Sequence, residues 1–245
     1  MSLRILIISL FLFSFSCKDS SDTTYIFSSL NTNEFSSSIS KENALVIDVR
    51  TDQEISKGYI KGATLIDFYS SNFNNKIQLL DKDMNIHIYC KSGGRSNKVA
   101  QLLAENGFKN IFNLDGGFDK WNSKGYPYVM PDQILDIDEE NIEKSINENY
   151  VDSIIKNNPT LVYISTKWCS PCRKMRPIVD SLEIFLKNDI NVIYIDADIN
   201  PSLLSKFNSQ SVPVLIFIEN NIEQWRRKGV VSYDKLLNLI HKEIL

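Results

Sequence analysis

Four cysteines stand in this chain of 245 residues, and each lies in a segment with chemistry of its own. Cys90 opens the run Cys90-Lys91-Ser92-Gly93-Gly94-Arg95-Ser96, Cys169 and Cys172 bracket Ser170-Pro171, and Cys17 closes an apolar N-terminal stretch. The only close pair is the Cys-x-x-Cys, so no static disulfide framework is available. A chain whose thiols are all placed for reaction or processing reads as one that handles sulfur.

Cys90 follows an apolar run of strand character and precedes a segment of helical periodicity. Such a strand-loop-helix junction gathers backbone N–H groups into a small cup, with a helix N-terminus behind it. Gly93 and Gly94 permit the curvature, and a thiol held there should have a lowered pKa. Arg95 can offer a planar donor fork to an anionic substrate. Lys91, Ser92 and Ser96 complete the lining of a cup that would hold a thiolate nucleophile.

Cys169 and Cys172 are spaced to close a disulfide within one helical turn. At the start of a helix the first of them, Cys169, would be the exposed thiol, its pKa lowered by the positive end of the helix dipole. Pro171 is tolerated in a first turn, and neighbouring Lys167 could favour the thiolate. Structural zinc wants about four ligands; there is no second Cys pair, and His87 and His241 stand far away, so no metal is expected. Nothing resembles a flavin or nicotinamide site, so no cofactor is expected either.

These thiols must be positioned by elements that the pattern partly reveals. Strand character marks residues 44–49, 85–89 and 109–114, with a helix over 96–106, its stop at Gly107, and a turn at Asp115-Gly116-Gly117. After Pro127 and Pro131 the chain turns acidic, which places a domain boundary. A second series follows: strand 160–165, a helix over 169–187, strands 191–196 and 214–218, and a last helix from Tyr233. Strands alternating with helices predict two α/β domains, 27–130 and 131–245, which the length also suits. A net charge of −3 gives no reason to expect nucleic-acid binding.

The first half resembles the rhodanese family from about Phe27 to Tyr128. The resemblance rests on Asp48-Val49-Arg50, on Gly58-Tyr59-Ile60-Lys61-Gly62-Ala63, on the Cys90 loop, and on Leu114-Asp115-Gly116-Gly117-Phe118 with Trp121. Tyr59 stands where the family often has His. The family implies a parallel-sheet α/β domain in which Cys90 carries a sulfane sulfur as a persulfide, taken from thiosulfate or another persulfide. Four residues between Cys90 and Arg95 resemble its sulfur-carrying loops rather than the longer loops of related phosphatases. Asp48 and Arg50 read as a strand-end salt bridge.

The second half resembles the thioredoxin family, on Trp168-Cys169-Ser170-Pro171-Cys172, Pro177, Asp198-Ile199-Asn200-Pro201, Ser211-Val212-Pro213-Val214 and Gly229. This implies a central mixed sheet, with Val212 and cis Pro213 facing the dithiol and Trp168 beside it at the substrate. It also implies that Cys169 attacks and Cys172 resolves. The family's buried acid, six residues before the first Cys, is replaced by Tyr163, and its Lys partner by Tyr194.

Arg4, the apolar run Ile5 to Phe15 and Ser16-Cys17 make a charged, then short hydrophobic, then small-residue order that reads as a secretory signal. The run is too short to span a bilayer. Its Cys resembles the end of a bacterial lipobox, although Ser14 stands where Leu is usual, so residues 1–17 read as a signal peptide with a lipobox-like end whose Cys17 becomes the lipidated N-terminus. The alternative is a plain signal peptide with an incidental Cys. Residues 18–26 read as a flexible tether. The expected protein is exported and lipid-anchored, facing the periplasm or associated with the outer membrane. Its expected partners are a sulfane-sulfur donor, a disulfide-bearing protein substrate and an external dithiol protein as reductant. The function expected is persulfide transfer at Cys90 coupled to the Cys169–Cys172 dithiol. The other reading is a general disulfide reductase whose first domain only binds.

Overall fold

The computed structural model describes residues 25–41, 43–131 and 146–244. The apolar N-terminal run, Cys17, the expected tether as far as Thr24 and most of the acidic segment after Pro131 lie outside them. Among the described residues no helix is long and apolar enough to cross a membrane.

The first domain runs β1 (Ile26–Leu30), α1 (Thr32–Ser38), β2 (Ala44–Asp48), α2 (Asp52–Ile55), β3 (Thr64–Leu65), α3 (Phe73–Gln78), β4 (Asn85–Tyr89), α4 (Gly94–Glu105), β5 (Asn110–Leu114) and α5 (Gly117–Ser123). Its five strands pair in the order β1-β5-β4-β2-β3, all in parallel. A parallel sheet is covered on both faces, which is why β2 reads as a near-continuous apolar run. Ile86, Ile88 and Cys90 turn to one face and pack with Phe73, Ile77, Val99 and Leu103. Tyr89 turns to the other, with Phe35, Phe118 and Trp121. Chain pleating thus aims Cys90 at the layer that holds α3 and α4.

At the end of β2 the buried Arg50 guanidinium meets Asp48 at 2.7 Å, as the strand-end reading expected. It also donates to the Gly58 carbonyl at 2.8 Å and lies 3.9 Å from the Phe118 ring centroid. A buried pair with its remaining donors satisfied costs little to keep and much to break. Its place is structural, tying the strand end to the loop before β3.

The second domain runs α6 (Glu148–Asn157), β6 (Thr160–Ser165), α7 (Ser170–Phe185), β7 (Asn191–Asp196), α8 (Pro201–Lys206), β8 (Val214–Glu219), β9 (Ile222–Lys228) and α9 (Tyr233–Ile244). The sheet order is β7-β6-β8-β9, with β6 and β7 parallel and the other two pairs antiparallel. Central β6 is buried at every residue and sends alternate side chains into the clusters on its two faces. The expected mixed sheet is present.

Several boundaries shift by one or two residues from the sequence expectation, and two of the differences have a clear origin or consequence. α4 begins at Gly94 rather than Ser96, because Gly93 at φ 106° is the left-handed turn from which the helix departs. β1 begins at Ile26, inside the expected tether. The pattern also left out β1, the two-residue β3, and β9, whose Ile-Glu-Gln-Trp-Arg-Arg-Lys buries Trp225 alone, together with the helices α1, α2, α3, α5, α6 and α8.

Candidate functional site

Cys90 is 1% exposed at the end of β4. Its Sγ accepts from the Gly93 N–H at 3.1 Å and faces the Ser96 hydroxyl at 3.5 Å. Burial alone would push the thiol up. The Ser96 hydroxyl and the N–H groups of Ser96, Gly93 and Ser92 outweigh it, and the thiol lies below its ordinary range. This is the cup that the loop composition implied. Lys91, Ser92 and Gly94 face solvent, while Gly93 and Ser96 are buried.

The loop is held from behind by α5. The Phe118 N–H donates to the Cys90 carbonyl at 2.8 Å and the Asp119 N–H to the Lys91 carbonyl at 3.0 Å. Gly117, at φ 59°, lets the two backbones come this close. A Cβ there would stand 2.5 Å from the Cys90 carbonyl oxygen. Helix α5 thus spends its first free N–H groups on fixing the loop.

Arg95 takes a place the loop sequence did not show. Its two terminal nitrogens donate to the Glu54 carboxylate at 2.7 and 2.6 Å, so its charge is paired within the domain. The Arg95 hydrogen bonds hold the Glu54 carboxyl down to about 2. Glu54 also closes the capping box of α2 on Thr51. Thr-x-x-Glu is legible as a cap, but nothing local pointed to a partner 41 residues away.

In the second domain Cys169 caps α7 and forms a disulfide with Cys172, Pro171 standing in the first helical turn. The Val212–Pro213 bond is cis, as the resemblance implied, and Val212 packs in one cluster with both cysteines. The Trp168 indole N–H reaches the Asp198 carboxylate at 2.9 Å. Beneath the helix the Tyr163 hydroxyl donates to the Cys172 carbonyl at 2.8 Å, and burial pushes this phenol well up. Tyr194 is held protonated by burial and by Glu183 and Asp180. A hydroxyl donor that stays neutral therefore stands where a proton-accepting acid would.

Residues 31–124 match the rhodanese-like domain family and residues 141–242 match thioredoxin. A sulfurtransferase of Allochromatium vinosum is 33% identical over 37% of this chain and 83% of its own length. A thioredoxin of Rickettsia felis is 30% identical over 35% of this chain and 82% of its own. The chain belongs to both families, one domain to each. A thiosulfate sulfurtransferase of Pseudomonas entomophila is 38% identical over 35% of this chain and 76% of its own length. The two domains together carry the machinery for sulfur transfer and for thiol-disulfide exchange.

The dithiol end of the thioredoxin domain is seated on the rhodanese-like domain. The Ser170 N–H, first in α7, donates to the Thr64 hydroxyl at 3.0 Å, and Arg173 donates to the Ala63 carbonyl at 3.2 Å. Lys76 stands 5.5 Å from the Trp168 ring centroid, and Trp168 packs against the cores of both domains. The Leu79 carbonyl accepts from the Val212 N–H at 2.9 Å. In consequence Cys169 is 2% exposed, which corrects the expectation of an exposed attacking thiol. The sequence argument treated the second domain alone, and the cover comes from the first. Thr64, Lys76 and Leu79 belong to no recognisable motif, so only the fold brings them to the dithiol; Arg173 follows Cys172 in the chain, and the fold supplies its partner Ala63.

Proposed function

We propose that the chain takes sulfane sulfur at Cys90 and discharges it as sulfide through the Cys169–Cys172 dithiol. The Cys90 thiolate attacks the outer sulfur of a donor such as thiosulfate, keeps it as a persulfide and releases sulfite. The Cys169 thiolate then attacks the inner persulfide sulfur, giving a Cys90–Cys169 disulfide and hydrosulfide. Cys172 attacks Cys169, closes the Cys169–Cys172 disulfide and returns Cys90 as a thiolate. Two electrons pass from the dithiol to the sulfane sulfur, and an external dithiol protein must return them.

What supports this reading is that one chain carries both the Cys90 cup, which lowers the thiol pKa, and the Cys169–Cys172 dithiol. Two sites in one chain meet at an effective concentration on the order of mM without further affinity. After incubation with thiosulfate, intact-mass and peptide analysis should find one added sulfur on Cys90. In Cys90→Ser the addition should vanish. An unmodified Cys90 with every donor class would remove the reading.

The N-terminal order of Arg4, apolar run and Cys17 supports export with a lipid on Cys17, to the periplasm or the outer membrane. Cys17→Ala should then move the protein from the membrane fraction to the soluble exported fraction. Unchanged membrane association would count against the anchor.

A further inference from the structure

The thioredoxin domain presents one backbone donor beside its dithiol that its own sheet does not use. Pairing between β6 and β8 begins at Val214, and the Val212 N–H precedes it. An unpaired N–H at the start of a strand is a position an extended chain can take by strand addition, its neighbouring side chain filling the adjacent apolar site. Leu79 does both here. Its carbonyl accepts from the Val212 N–H at 2.9 Å, and its side chain packs into the cluster of Cys169, Cys172 and Val212.

The rest of the contact seals the same place. Thr64 satisfies the first N–H of α7, and Arg173 takes the Ala63 carbonyl next to β3, the short edge strand of its sheet. Among the described residues the hydrogen bonds across the interface come from the 63–79 stretch and not from the Cys90 loop. The occupant of the groove is therefore not the persulfide carrier.

We propose that this seating is a self-capped resting state, in which Leu79 holds the place of an incoming substrate chain and the dithiol reacts only when the rhodanese-like domain lets go. The cap regulates external disulfides and the Cys90 persulfide alike, since either must displace Leu79 to reach Cys169. It stands apart from the sulfur-transfer reading, because it concerns only access to the dithiol.

Leu79 suits a test because its side chain packs with the thioredoxin cluster, whereas its neighbours Ile77 and Leu80 build the rhodanese-like core. Leu79→Glu should unseat the cap and leave that core intact. Thr64→Val, of the same shape, should weaken it by removing one hydroxyl. Both are made in the full chain carrying Cys90→Ser, so that sulfur transfer plays no part. The pre-reduced proteins are then mixed with insulin, and the rate of disulfide reduction is followed in a single turnover. Leu79→Glu should react at least about tenfold faster than the Cys90→Ser parent, and Thr64→Val several-fold faster. A carboxylate near the dithiol would by itself raise the thiol pKa and slow attack at neutral pH, so acceleration must come from access. Hydrogen exchange at the Ser170 and Val212 amides should be protected in the parent and fast in Leu79→Glu. Equal insulin rates in the parent and both variants, or fast exchange of both amides in the parent, would overturn the cap.

Discussion

Cys172→Ser, reduced and then given a sulfane-sulfur donor, is expected to accumulate a Cys90–Cys169 disulfide that joins the two domains and to stop turning over. In the wild type the resolving thiol is always at hand. Cys172 bonds its N–H to the Cys169 Sγ at 3.2 Å and lies one helical turn away, where it already closes the disulfide. Resolution within a turn is intramolecular and outruns any reaction between domains. Serine keeps the size and the helix but cannot attack, so the intermediate has no intramolecular exit. Peptide mapping without reductant should show the Cys90 and Cys169 peptides joined, in proportion to donor, and released by dithiothreitol. Attack on the outer sulfur would leave a persulfide on Cys169 and no cross-link. Finding neither would mean that the domains serve separate substrates.

Gly117→Ala carries the second large effect, although Gly117 touches no substrate. An alanine at φ 59° costs about 1–2 kcal/mol from backbone sterics alone. Its Cβ would also meet the carbonyl oxygens of Cys90 and Lys91 at 2.5 and 2.6 Å. These are backbone atoms, so the loop itself must shift, and with it the bonds from Phe118 and Asp119 that fix it. A displacement of about 1 Å in a reacting group can lose on the order of 100-fold in rate. Sulfur transfer to Cys90 should fall by about that factor. The pH midpoint of Cys90 alkylation should rise, because the N–H groups that hold the thiolate no longer converge on it. Gly125→Ala is the control: its φ is 72°, yet no atom lies within 4 Å of the added Cβ. It should cost about 1 kcal/mol in stability and leave transfer unchanged. Gly117→Ala acting at the wild-type rate would show that α5 does not set the loop.

Short local patterns carry much of this protein in its sequence. The glycines and Ser96 around Cys90 are all local, so a lowered thiol pKa followed from the loop alone. Cys169 and Cys172 needed only a helix start to become a dithiol. The buried runs of β2 and β6 are apolar because helices cover both faces, and such runs stand out without a structure. The family resemblances extended these local readings to two complete domains.

What the tertiary structure decided depends on residues far apart in the chain. The loop composition offered Arg95 to a substrate anion, and the fold instead delivers the Glu54 carboxylate to it. Gly117 read as a turn residue, and only the approach of α5 to the Cys90 loop makes it indispensable. The exposure of Cys169 followed from a helix N-terminus considered by itself. It was reversed by Thr64, Lys76 and Leu79, which contact the second domain from an edge strand and the end of a short helix. Sequence patterns report which face of an element is buried. They do not report which surface of one domain closes over another, because residues such as Thr64 and Leu79 look the same in a core, at an edge or in a cap.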